Sequence, residues 1–144
     1  MAALIGCAAL AATAALAVAL GAQAQQQKAP TEAELKAKGA RQMTGAEVRA
    51  SRVGNTWYFL RLADGGVLNV FYPDERNKRA VIGGRRRTSL WWLEGDRICE
   101  DSFVVSGHLC FRVWMLNSVA HVCVEGQSTC ETIVRHVPGN PDGL

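Results

Sequence analysis

The residues best suited to chemistry lie in the C-terminal third. Cys99, Cys110, Cys123 and Cys130 form an even set, and two of them close His-x-Cys units, His108-Leu109-Cys110 and His121-Val122-Cys123. Two chemistries use these residue types. Alternate residues of a strand share a face, so two paired strands could aim two imidazoles and two thiolates at one zinc or copper ion. Oxidation would instead join the thiols as disulfides. Cys99 and Cys110 fall at facing ends of consecutive strand-like runs, as do Cys123 and Cys130, with ten and six residues between them, and each pair can reach the short Cα separation that a disulfide requires. Closing loops of that size contributes about 2 to 3 kcal/mol. The Cys-x-x-Cys turn of common zinc sites is missing from the sequence. The expectation is therefore two disulfides, Cys99 to Cys110 and Cys123 to Cys130, with His108 and His121 only weak metal candidates and no cofactor.

The compartment supports that choice. Residues 1–24 are uncharged, rich in Ala and Leu, and end on Ala22-Gln23-Ala24, the small-x-small pattern of a signal-peptidase site. A membrane-spanning helix is the rival, since about 20 apolar residues suffice to cross a bilayer, but the Ala-rich run ends at a cleavage signal rather than at basic flanks. Leu4-Ile5-Gly6-Cys7 has the form of an acylation site, yet an apolar stretch follows it where a polar tether is needed. The reading is a signal peptide over 1–24, a mature chain without a transmembrane segment, and a periplasmic or secreted location that oxidises thiols.

A second cluster is basic. Arg76, Lys78, Arg79, Arg85, Arg86 and Arg87 place six cations within twelve residues. Arginine forks onto phosphate and carboxylate groups, so this segment is the candidate for an anionic lipid, lipopolysaccharide or polysaccharide. The plainer alternative is a solvated hairpin whose charges block edge pairing. The net charge of +3 is too small to imply a nucleic-acid partner. A third set is aromatic: Trp57, Trp91, Trp92 and Trp114 are core material first and candidates for lining a ligand pocket second. Adjacent Trp91 and Trp92 must point to opposite faces of a strand.

Catalysis finds little purchase. The sequence has no Gly-x-Ser-x-Gly elbow, no His-Glu-x-x-His helix and no Gly-rich phosphate loop. Glu100-Asp101 is a carboxylate pair, but neighbours in a strand diverge, and the pair reads as a solvated loop. A non-enzymatic binding domain is the expectation. It would act through the basic hairpin or, alternatively, as a barrel-type carrier of a small apolar ligand.

The elements that must position these residues are short. A tether over 25–30 leads to Thr31-Glu32-Ala33-Glu34, a capping box opening a helix to about Lys38, and Thr44-Gly45-Ala46-Glu47 opens another to about Arg52. Seven strand-like runs follow, at 56–62, 67–72, 89–93, 97–99, 109–116, 119–124 and 131–137, separated by glycine turns. Residues 31–137 are thus predicted to form one mainly β domain, a small antiparallel β-barrel or curved meander sheet with two short N-terminal helices and disulfide staples. Residues 138–144 are predicted to be a disordered tail.

The leader, the short helix, Thr44-Gly45-Ala46-Glu47 running into Gly54-Asn55-Thr56, the Asp64-Gly65 turn, and Trp92-x-x-Gly95-Asp96-x-x-Cys99 followed by Cys110 together resemble a family of small exported proteobacterial proteins of unknown function. The resemblance spans about residues 43–124. It implies export and an all-β fold and transfers no catalytic residue. Arg85-Arg86-Arg87 departs from it, standing where a glycine-rich turn with little charge is expected.

Overall fold

The computed structural model describes residues 28–61 and 64–144. The segment read as a leader, its expected cleavage site and Cys7 lie outside the described residues. Both helices start at their capping boxes. Thr31 caps α1 (Glu32–Ala37), its hydroxyl accepting from the Glu34 N–H while the Glu34 carboxylate accepts from the Thr31 N–H. Thr44 caps α2 (Gly45–Arg52) in the same way with Glu47. The Arg41 guanidinium and the Thr44 N–H hold the Glu47 carboxyl down at about 2.

Eight strands follow: β2 (Asn55–Leu60), β3 (Val67–Tyr72), β4 (Asn77–Ile82), β5 (Arg85–Glu94), β6 (Arg97–Asp101), β7 (His108–Leu116), β8 (Val119–Val124) and β9 (Glu131–Pro138). Each pairs antiparallel with the next, and β9 returns to β2, so the sheet closes into an eight-stranded up-and-down barrel. A two-residue β1 (Arg41–Gln42) adds to the outer end of β7. Closure removes the free edges that an open sheet of this size would expose.

Alternation along the strands fills the interior. Trp57 and Phe59, Val70 and Tyr72, Trp91, Ile98, Phe111 and Val113, Val122 and Ile133 join one buried core. Helix α2 closes one end: Val48 and Arg52, four residues apart on one helix face, are fully buried in that core. A side chain at Gly45 would put its Cβ 2.4 Å from the Gly95 carbonyl oxygen, and the Gly45 N–H donates to Asp96 Oδ1 at 2.7 Å, so only glycine lets the helix seat on the β5–β6 turn.

The outer wall is covered in patches. Helix α1 lays Leu35 over Trp114 and the Cys123–Cys130 bridge, and Cys99–Cys110 links facing residues of β6 and β7. Residues 138–144, expected to be disordered, instead fold back on the barrel. The Thr56 hydroxyl donates to the Gly139 carbonyl, Asp142 accepts from the Tyr58 hydroxyl at 2.6 Å and from Asn69, and Leu144 is buried. The tail covers the outward face of β2, where Thr56 and Tyr58 would otherwise be exposed.

Two strands escape the sequence pattern. β1 is too short to register, and β4 lies inside the segment read as a solvated basic hairpin. Its inward positions are Lys78, Ala80 and Ile82, so one charged residue breaks the apolar alternation. The turn itself is where the glycines place it, with positive φ at Gly83 and Gly84.

Candidate functional site

At the end of the barrel opposite α2, a cavity of about 380 Å³ opens between the strand ends. Its wall is apolar: Phe59, Leu68, Val70, Leu109, Phe111, Val122 and Val124 come from the strands, and Phe103, Val104 and Val105 from the loop joining β6 to β7. Lys78, Glu100, Glu131, Ser102 and Gln127 supply the polar groups.

The charges have a defined order. Lys78 Nζ lies 2.7 Å from one Glu100 carboxylate oxygen, and Arg52 Nη1 donates to the other at 3.2 Å. The Lys78 side chain is 2% exposed, that of Arg52 0% and that of Glu100 18%. Such burial of an unpaired charge would be prohibitive, and the shared carboxylate is what makes it tolerable. Burial nevertheless pulls the Lys78 ammonium below its ordinary value, with Glu100 opposing that shift. The ammonium also sits 4.4 Å from the Phe103 ring centroid, which ties the β6–β7 loop over the mouth to the charged floor.

Arg52 is enclosed by aromatic rings. Its guanidinium carbon is 4.3 Å from the centroid of Tyr72, 4.6 Å from Trp57, 5.1 Å from Phe111 and 5.4 Å from Trp91. Its Nε and Nη2 have no hydrogen-bond partner among the described residues, so ring faces stand in for part of the lost hydration. Burial also pushes the Tyr72 hydroxyl well above the usual tyrosine value. On the opposite wall Glu131 follows the inward alternation of β9, two residues before Ile133. Burial, with Glu100 as a second influence, raises its carboxyl. The interior thus sets two cations against one shared carboxylate, with a second carboxyl biased toward its neutral form.

The basic segment does not form one surface patch. Lys78 is inside the barrel, a correction to its place among the exposed anion-binding candidates. Arg76 sits in the β3–β4 turn at the α2 end, and Arg79 points outward from β4. Arg85, Arg86 and Arg87 are all exposed at the start of β5 on the cavity side, Arg85 and Arg87 on the hairpin face that Trp91 continues and Arg86 on the opposite face. In the ladder, β4 matches β3 at Phe71–Arg79 alone and β5 matches β6 from Trp91 to Glu94, leaving residues 80–87 paired only with each other, while Ala80 and Ile82 pack on the core.

The tryptophans also separate. Trp57 and Trp91 are core, Trp114 lies beneath α1, and Trp92 faces outward, its ring against that of His108 and its N–H donating to Glu94. Trp57 borders a second cavity of about 320 Å³ at the α2 end, which Met43, Met115 and His136 also line. Phenylalanines, not tryptophans, line the open mouth.

All four cysteines are used in the expected bridges, Cys99–Cys110 and Cys123–Cys130. No thiolate is left for the His-x-Cys units. His108 faces Asp101, while His121 faces Trp114, six positions further along β7 and roughly 20 Å away at the usual strand rise. Among the described residues no group of three or more His, Cys, Asp or Glu side chains could hold a metal.

Sequence reasoning missed Arg52, Glu100 and Glu131. Glu100, read as part of a solvated carboxylate pair, diverges from Asp101 as expected but turns inward. The available signal was the alternation Ile98-x-Glu100, which puts the carboxylate on the same face as a buried isoleucine.

Fold and site together define a closed antiparallel barrel with a helical plug at one end and an apolar, charge-floored cavity at the other. No family model matches the chain, and no curated protein and no solved structure matches it significantly. Among the described residues no helix is long and apolar enough to cross a membrane.

Proposed function

We propose that the protein is an exported, non-enzymatic barrel carrier that holds a small, mainly apolar ligand bearing one polar group in its open end. The observation that carries this reading is the cavity of about 380 Å³ with an apolar wall and the Lys78–Glu100 pair at its floor. Ligand sites have this composition, apolar area for affinity and a few fixed polar groups for orientation, and this volume lies within their usual range of roughly 300 to 1,000 Å³. The floor is preorganised, since both charges already have their partners, and a ligand head would join an existing network rather than build one. Export is supported by the leader sequence and is compatible with two disulfides.

The test is displacement of an environment-sensitive fluorescent probe from the protein by medium-chain acids, alcohols and amines. A saturable, displaceable signal is expected, and it should be lost in Leu109→Trp, which fills the mouth. A probe signal equal in wild type and Leu109→Trp would contradict the reading.

A further inference from the structure

The cavity end carries a second feature besides the cavity itself. Arg85, Arg86 and Arg87 are all exposed, and none forms an ion pair among the described residues. They stand on the part of the β4–β5 hairpin whose backbone pairs with neither β3 nor β6, beyond the point where Ala80 and Ile82 pack on the core. Beside it, the loop following β6 presents Val104 at 80% and Val105 at 56% exposure, the highest among the large hydrophobic side chains described. The Ser89 hydroxyl donates to the Asp101 carbonyl at 2.8 Å, pinning the hairpin to the root of that loop. Exposed aliphatic residues at a loop tip gain nothing in water, and unpaired arginines beside them match one kind of surface, an apolar layer under a sheet of phosphates.

We infer that the open end of the barrel docks on an anionic lipid bilayer, with Val104 and Val105 entering the interface and Arg85, Arg86 and Arg87 meeting lipid phosphates. In that orientation the cavity mouth faces the membrane, and an amphipathic ligand passes between bilayer and barrel without crossing water. A polyanion such as a polysaccharide would satisfy the arginines but leaves the exposed apolar surface of the two valines uncovered.

The experiment is flotation of the full chain with vesicles of phosphatidylglycerol and phosphatidylcholine against phosphatidylcholine alone, a contrast in which any contribution of the uncharged leader cancels. Preferential binding to the anionic vesicles is expected, weakening as salt rises. Replacing Arg85, Arg86 and Arg87 together by Ser should lower it on the order of 100-fold. Val104→Ser with Val105→Ser should lower it about tenfold or more. Near-ultraviolet circular dichroism checks that each variant keeps its fold. Leu109→Trp, which blocks the cavity, should bind vesicles as wild type does, so failure of docking and failure of ligand binding are read separately. Equal binding to both vesicle types, or an unchanged arginine variant, would overturn the inference. Dependence on the arginines with no effect of the valines would also overturn it, in favour of a soluble polyanion.

Discussion

Replacing Glu100 by Gln removes the carboxylate that both buried cations share. Lys78 and Arg52 lie 2.7 and 3.2 Å from its two oxygens and are almost fully enclosed, so neither can turn to water for a replacement partner. Breaking a buried pair by deleting one member costs about 3 to 5 kcal/mol, and here two ions are orphaned at once, which places the loss in the upper part of that range. A small domain holds about 5 to 15 kcal/mol in total. Urea unfolding followed by tryptophan fluorescence is the assay, with Trp57 and Trp91 as core reporters. At a slope of about 1 to 3 kcal/mol per molar, the midpoint should fall by more than about 1 M. Lys78→Met leaves Glu100 bonded to Arg52 and should cost less, about 1 to 3 kcal/mol.

The two variants also differ with pH. Burial already holds the Lys78 ammonium low, and Glu100 is the main influence resisting that shift. Without Glu100 the folded value drops further. A group lowered by folding binds fewer protons when folded, so its stability deficit lessens as pH rises toward the ordinary lysine range near 10.4. Glu100→Gln should therefore recover stability toward alkaline pH more steeply than wild type, and Lys78→Met should lack that dependence. A loss below about 1 kcal/mol in Glu100→Gln, or equal losses in both variants, would refute the reasoning that one carboxylate supports two buried charges.

Further expectations concern the scaffold. Reducing either disulfide should cost about 2 to 3 kcal/mol in the same urea assay, given sequence separations of 11 and 7. Asp142→Ala should cost about 1 to 3 kcal/mol, because it strips the partner from the buried Tyr58 hydroxyl and from Asn69; a neutral result would mean that the tail does not hold β2. Gly45→Ala should lower the melting temperature, since the new Cβ meets the Gly95 carbonyl. Because folding raises the Glu131 carboxyl, the stability tied to its neutral form is present below the ordinary glutamate value and lost as pH climbs through the folded value. Glu131→Gln should flatten that decline, measured as unfolding midpoints from mildly acidic to neutral pH.

Local signals carried the scaffold. Thr31 and Thr44 with glutamates three residues on opened both helices, glycine pairs set the turns, and the spacing of four cysteines named both bridges. The charged interior was harder to see because its members are scattered over α2, β4, β6 and β9, and each obeys a local rule pointing elsewhere. Arg52 reads as a helix C-terminal cation, Lys78 as part of a basic run, and Glu100 as half of a solvated acidic pair. Their burial follows from barrel closure, which brings four segments to one axis, and no window along the chain contains that information. The tail was missed for a related reason: glycine and proline describe its turns, while Asp142 acquires its role only through Tyr58 and Asn69, 84 and 73 residues away.

The most direct test of the account is methyl-detected NMR of the protein titrated with a medium-chain amphiphile selected in the displacement assay. Methyl groups of Leu68, Leu109, Val122 and Val124 surround the open-end cavity, whereas those of Met43 and Met115 border the cavity at the α2 end. Saturable shifts in the first set, with the second unchanged, are the expected result. Shifts confined to Met43 and Met115, or none at any amphiphile concentration below its self-association, would contradict the claim that the open end of the barrel is a ligand site.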